Sequence, residues 1–312
     1  MTDRELLDIG AALTPSADEP VTSGDVQALR TIAAHAVALD GRRGGAGLLP
    51  SVTSAFRAAS ARLATGDHPA GLEADFTAAV AELGEVAGWL AFDSLQHGEA
   101  RCLNLRALRL ARLAGDARME MFLLGNMALL AQETGRARES LRLVELVERF
   151  RLSPRVRVMA SLRRSRALAD LGDERALALL HQAQSQVDES VIRADPEWTW
   201  WVDRRELVLH EGSAWRAVGR LDKAVDRYAA ALEGVPEAYR WSAWVGGSWL
   251  VGALVEARSW SEAETAANEL APLAREVSSG RATQRLREAS ATAKALRAPS
   301  SLEDLLTALA SG

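Results

Sequence analysis

Cysteine is almost absent from this chain. Cys102 stands alone among 312 residues, which excludes an internal disulfide and any cysteine-cluster metal site. Lysine is nearly missing as well: of 37 Lys+Arg only Lys223 and Lys294 are lysine. With the wealth of Ala and Leu, that reads as the coding bias of a high-GC bacterium. Long hydrophobic runs are lacking too. The longest uncharged apolar stretch, Val245 to Val255, falls far short of the roughly 20 residues a bilayer span needs. Asp3, Arg4, Glu5 and Asp8 break any signal-peptide core at the start. Nor is there an excess of positive charge: the net charge of -5 argues against a nucleic-acid-binding surface over the whole chain. These absences imply a soluble protein of a reducing compartment, expected in the cytoplasm and without a membrane partner.

Catalytic signatures are missing in the same way. The sequence has no His-Glu-x-x-His, no Gly-x-Ser-x-Gly, no Walker lysine and no Gly-x-Gly-x-x-Gly after a strand. Arg42-Arg43-Gly44-Gly45-Ala46-Gly47 has the glycines of a phosphate loop but no lysine, and it reads as a connector between helices. None of the five histidines has another His or Cys at a ligand spacing of three or four. No cofactor, no metal and no catalytic residue is expected from motifs.

What is present is helical periodicity. Apolar residues recur at three- and four-residue spacing almost throughout, and sustained strand alternation is absent. The pattern predicts about fourteen helices joined by short turns, from Val26–Leu39, with Ser23 as its N-cap, to Leu302–Leu309. One predicted helix runs from Trp201 to Val218. Residues 1–24 read as a flexible lead-in and residues 25–312 as one domain. The turns repeat: Gly135, Gly172, Gly219 and Arg258-Ser259 each separate two helices, about forty residues apart. The clearest unit, 205–236, fits the tetratricopeptide pattern. Gly212, Trp215, Gly219, Ala224, Tyr228, Ala231 and Pro236 supply its small, aromatic, turn and proline positions. The fold class expected is therefore all-α, a tetratricopeptide-like solenoid of helical hairpins with degenerate repeats.

Three features bear on function. The basic run Arg151, Arg155, Arg157, Arg163, Arg164 and Arg166 can line one helix face for phosphate. The reading preferred is a solvated face, with Asp170, Asp173 and Glu174 near enough to pair. Eight of nine tryptophans fall between Trp198 and Trp260. Trp215, Trp249 and Trp260 read as core, whereas Trp198, Trp200 and Trp201 cannot all face one core stripe, so at least one should line a groove or surface. They follow an irregular loop, Ser190 to Thr199, stiffened by Pro196 and placed to act as a lid. Finally, the first helix of each pair lines the concave face of such a solenoid. That puts Asn126, Ser161, Glu206 and His210 on it, with Trp89 and Asp93 reaching in. These polar groups serve equally well as helix caps and inter-helix hydrogen bonds or as anchors of an apolar pocket walled by Trp89 and Trp201.

Two stretches stand out: Val86-Ala87-Gly88-Trp89-Leu90-Ala91-Phe92-Asp93, with Gln96-His97 and Glu99-Ala100, and Trp201-Val202-Asp203 with Glu206-Leu207, Gly212 and Gly219-Arg220. Together they resemble the C-terminal tetratricopeptide-like region of actinobacterial helix-turn-helix regulators of the lambda-repressor class. The opening Asp3-Arg4-Glu5-Leu6-Leu7 with Ala11-Ala12-Leu13 looks like the segment after their DNA-binding domain. The resemblance spans Asp25 to Gly234 and implies a sensor module whose occupancy changes assembly or the state of a partner. No short helix pair with a base-reading second helix precedes Val26, so direct nucleic-acid binding is not expected.

The function expected is a regulatory module that binds a small molecule or short peptide and works through protein contacts, a homodimer being one arrangement open to it. The alternative is an enzyme of secondary metabolism using Asp93, Asp203 and Glu206 for acid–base work. A purely structural scaffold ranks third, because it calls for a polar groove rather than an aromatic one.

Overall fold

The computed structural model describes residues 20–65, 69, 71–187 and 195–311. Among them are fourteen α-helices, two short 3-10 helices and no strand. In chain order the helices are α1 Ser23–Arg43, α2 Leu49–Ala64, α3 Glu73–Asp93, α4 His97–Ala114, α5 Ala117–Glu133, α6 Ala137–Val147 and α7 Pro154–Asp170. Then follow α8 Arg175–Val187, α9 Arg204–Ala217, α10 Leu221–Leu232, α11 Arg240–Glu256, α12 Trp260–Ala274, α13 Gly280–Leu296 and α14 Ser300–Leu309. Most of the expected lead-in and residues 188–194 of the expected lid lie outside the described residues.

Helix starts follow local chemistry that periodicity reads only to within a few residues. Thr22, not Ser23, caps α1: its Oγ1 accepts from the Asp25 N–H, and the Asp25 carboxylate accepts from the Thr22 N–H at 2.7 Å. That reciprocal capping box satisfies two backbone donors at once. The helix predicted from Trp201 begins instead at Arg204, because Asp203 is extended and its carboxylate accepts from the Glu206 N–H at 2.9 Å. Trp201 ends a separate 3-10 turn, Glu197–Trp201.

From α3 onward one kind of turn recurs at six helix ends. The residues after α3, α5, α7, α9, α11 and α13 include Leu95, Gly135, Gly172, Gly219, Arg258 and Arg297, all with φ between 58° and 76°. In each case the next residue's N–H reaches back five residues, as in Arg220 to Trp215 and Ser259 to Leu254, both at 2.9–3.0 Å. This is the Schellman arrangement, which satisfies carbonyls left open at a helix end.

The sequence reads as one domain over 25–312; the helices gather into two compact units. One comprises the residues up to Asp40 with Gly44–Leu130, the other Gly41–Arg43 with Ala131–Gly312. In the first, α3 packs between α2 and α4. A Cβ at Gly84 would lie 2.6 Å from the Phe56 ring on α2 and 3.0 Å from Ala107 on α4, so these helices approach as closely as they do because the side chain is absent. In the second, α7 packs on α8 and α9, α11 on α12 and α13, and α12 on α14. The 205–236 unit behaves as its pattern requires. Tyr228 is fully buried over Gly212, donates to Ser213 Oγ at 2.9 Å, and meets the edge of the Trp249 ring on α11 at 5.9 Å.

Candidate functional site

The first helices of successive hairpins in the second unit bring together a set of charged side chains. Arg163 and Arg166 stand three apart on α7, Glu206 and His210 four apart on α9, and Arg281 and Arg285 four apart on α13. Each pair therefore shares one helix face. Glu133, the last residue of α5, completes the set. It accepts from Arg166 at 3.3 Å through one carboxylate oxygen and from Arg285 at 3.0 Å through the other. Burial works to raise its pKa, but Arg281, Arg166 and Arg285 override that and hold the carboxyl down at about 2.

His210 links the halves of this cluster. An Arg166 guanidinium N–H meets His210 Nδ1, and His210 Nε2 lies 2.9 Å from Glu206 Oε1. A guanidinium only donates, so Nδ1 accepts; the ring proton is then on Nε2 and is donated to Glu206. Burial favours the same neutral ring, lowering its pKa to about 4 against the pull of Glu206. Aromatic rings wall the set. Arg166 and Arg285 sit 5.4 and 5.8 Å from the Trp249 ring, Arg281 lies 5.9 Å from Trp241, and Arg163 lies 5.2 Å from Trp201. Such an arrangement fixes charge in place and can recognise a complementary charged or planar group.

Arg163 stands out in it. The residue is 3% exposed, and its Nε and Nη1 make no hydrogen bond. Burial lowers its pKa to about 10, with Glu206 acting against that and Arg166 adding to it. The cluster reaches solvent at its ends, where the Glu206 side chain is 30% exposed and that of Arg285 28%.

Of the seven residues expected in the site, Trp201, Glu206 and His210 belong to this cluster. Ser161 lies in the same unit on a different stripe of α7. It lines a surface hollow of about 600 Å³ with Glu148, Phe150, Arg151, Leu152, Arg157 and Ala160. Trp89, Asp93 and Asn126 belong to the other unit, where Trp89 Nε1 donates to Asp40 at 2.9 Å and Asn126 Nδ2 to Glu85 at 2.7 Å. Asp93 is buried at the end of α3. Within the tryptophan trio, Trp200 is 49% exposed and stacks on Tyr239 at 5.5 Å, while Trp201 turns to Arg163.

The basic run of α7 needs correction. It is not one solvated face: Arg163 and Arg166 are buried, and Arg166 takes Glu133 as its ion-pair partner. Asp173 pairs with Arg175 instead, and Arg164 pairs with Glu148. Trp249, read as core, is core and cluster wall at once. Sequence reasoning missed Glu133, Arg281 and Arg285, although Glu133 and Arg285 sit on predicted helices; Arg281 lies two residues ahead of the helix predicted from Thr283. The usable signal was three pairs of ionisable residues at three- or four-residue spacing, each on one helix face.

No family model and no curated protein sequence matches the chain. Among solved structures it is similar to a Rap protein in complex with competence and sporulation factor. The TM-score is 0.55 and the identity 13%, over 99% of this chain and 97% of that one. A second similar structure is a signal transduction ATPase with numerous domains from Pyrococcus horikoshii, which carries a tetratricopeptide repeat sensor. There the TM-score is 0.41 and the identity 13%, over 89% of this chain and 46% of that one. The fold is a tetratricopeptide-like solenoid. Among the described residues no helix is long and apolar enough to cross a membrane, and no three His, Cys, Asp or Glu residues are grouped to hold a metal ion.

Proposed function

We propose that this chain is a regulatory binding module that takes a short peptide or small molecule on the first-helix face of its second unit and acts through protein contacts. The observation that carries the reading is the cluster of Glu133, Arg163, Arg166, Glu206, His210, Arg281 and Arg285 among tryptophan rings on that face. Buried ionic groups are a poor source of stability compared with apolar packing, so a fold that gathers six charged side chains around one neutral histidine, Arg163 and Arg166 buried among them, has a use for them. The similar structure of a Rap protein complexed with competence and sporulation factor supports this use. So does the resemblance to the sensor region of actinobacterial helix-turn-helix regulators. The acid–base alternative draws no such support. Asp203 caps α9 and pairs with Arg205 at 2.9 Å, and Asp93 belongs to the other unit.

The test is a titration with panels of metabolites and short peptides, followed by tryptophan fluorescence and thermal shift. Trp201→Ala is expected to weaken any binder found by about 1.5–3 kcal/mol, the worth of one buried aromatic. Binders that ignore both Trp201→Ala and Glu206→Gln would place the ligand elsewhere. A protein silent to every panel would remove the reading.

A further inference from the structure

The charges on the first-helix face do not balance, and the imbalance has a location. Four guanidiniums face three carboxylates, Glu133, Glu206 and, beside Arg166 and Arg285, Asp170, and His210 adds no charge because its geometry holds it neutral. All three carboxylates are already engaged: Glu133 accepts from Arg166 and Arg285, Glu206 faces the His210 N–H, and Asp170 accepts from Gln132. The charged groups that act most strongly on Arg163 are Glu206, Arg166, Arg281 and Glu133. With Arg163 itself, those five sum to one positive charge in excess. Glu288 stands 3.9 Å from Arg285, on the Arg285 side of the cluster, and its side chain is largely exposed.

Arg163 also has donors to spare. Its Nε and Nη1 are buried without a hydrogen-bond partner, and the Trp201 ring at 5.2 Å can accept neither of them as an oxygen would. A buried donor left unmade forfeits its hydration with nothing in return, and a buried charge does so at greater cost. Beside it, Trp201 is half-buried and the Glu206 side chain is 30% exposed. Missing acceptor and missing negative charge coincide at one side chain.

We propose that Arg163 is an anchor for a carboxylate of the ligand, held beside the Trp201 ring with Arg166 and Arg281 adding to the attraction. The inference rests on the binding role proposed above and specifies the chemistry of its ligand: a peptide with a free C-terminal carboxylate or an acidic side chain. A carboxylate supplies the single negative charge the cluster lacks and oxygens for the idle guanidinium donors. Charge-assisted bonds of that kind are the stronger class.

The experiment compares acid with amide. Succinate and its uncharged isostere succinamide are titrated into the full chain at low salt, and an octapeptide library is screened in free-acid and carboxamide forms. Succinate, and not succinamide, is expected to raise the melting temperature. Peptide binders are expected to lose at least tenfold in affinity when their one essential carboxylate becomes an amide. Arg163→Met should abolish the succinate response and cost the same tenfold, with Arg163→Lys recovering part of it. Circular dichroism establishes that both variants are folded, and the acid–amide comparison on the unaltered protein needs no variant. Peptides that bind equally as acid and amide would overturn the anchor and leave the peptide-binding role standing. A succinate response that depends on Arg163, without any peptide binder, would support the anchor and count against the peptide role. Silence toward both would remove both.

Discussion

Glu133 occupies a position where removal of one atom group has effects in two directions. Both of its oxygens accept from guanidiniums, Arg166 on one side and Arg285 on the other, and little of its side chain meets water. Truncation to Ala strands two cations whose hydration has already been surrendered. The expected cost is about 3–5 kcal/mol, the range for breaking a buried ion pair by removing one partner. Glu133→Gln keeps one acceptor and should cost less; denaturant unfolding of both variants measures the difference. Equal stability of Glu133→Ala and wild type would mean that Arg166 and Arg285 find water easily, and the cluster would then be a surface feature. Size is the constraint at Gly212, where a Cβ would stand 2.6 Å from the Tyr228 ring. Tyr228 is buried and fixed by Ser213, so Gly212→Ala should cost about 1–3 kcal/mol through overpacking.

At the scale of elements, the hairpin turn decides how much of the fold the sequence displays. Gly135, Gly172 and Gly219 announce their turns because glycine adopts positive φ without strain. Leu95, Arg258 and Arg297 make the same turn, with the same backbone bond five residues back, and carry no such mark. The Arg258 turn is legible from the forty-residue spacing, and the Leu95 and Arg297 turns only as breaks between runs of helical periodicity. A left-handed non-glycine residue stores strain, so Arg258→Gly and Arg297→Gly should each stabilise the chain by about 1 kcal/mol. Thermal melts of the single and double variants check this, and a loss of stability in both would show that the side chains are doing more than filling the turn. The candidate site was legible to a lesser degree. Glu206 and His210 follow from one-helix spacing, whereas Glu133, Arg166 and Arg285 come together from separate helices, and no local pattern encodes which arginine of α7 turns inward. Composition even points the wrong way, since six arginines in sixteen residues read as a wet surface.

For the molecule as a whole, buried titratable groups give the two units opposite responses to pH. In the first unit burial, with Glu82 adding to it, raises the Glu85 pKa from 4.5 to about 8 against the bond from Asn126. A raised folded-state pKa stabilises below the unfolded value, and that contribution is lost as pH rises from 4.5 through about 8. In the second unit burial lowers His210 from 6.5 to about 4, so its contribution is complete above 6.5 and lost on the way down. Glu133, held near 2 by its arginines, continues the loss below 4.5. Glu206 and Glu211, also held low by their partners, act in the same acid direction, and Asp170, raised by burial, opposes them in part. Between about pH 4.5 and 6.5 the Glu85 and His210 slopes are equal and opposite, each about 1.4 kcal/mol per pH unit, and cancel. The melting temperature should therefore be nearly level across that window, fall above it on account of Glu85, and fall below it on account of Glu133 and His210. Glu85→Gln keeps the acceptor for Asn126 while removing the ionisation. It should abolish the alkaline descent, leave the acid one in place, and turn the level window into a rise toward pH 6.5. An alkaline limb unchanged by Glu85→Gln would mean that the carboxyl is hydrated in the folded chain, and the opposition between the units would fail with it.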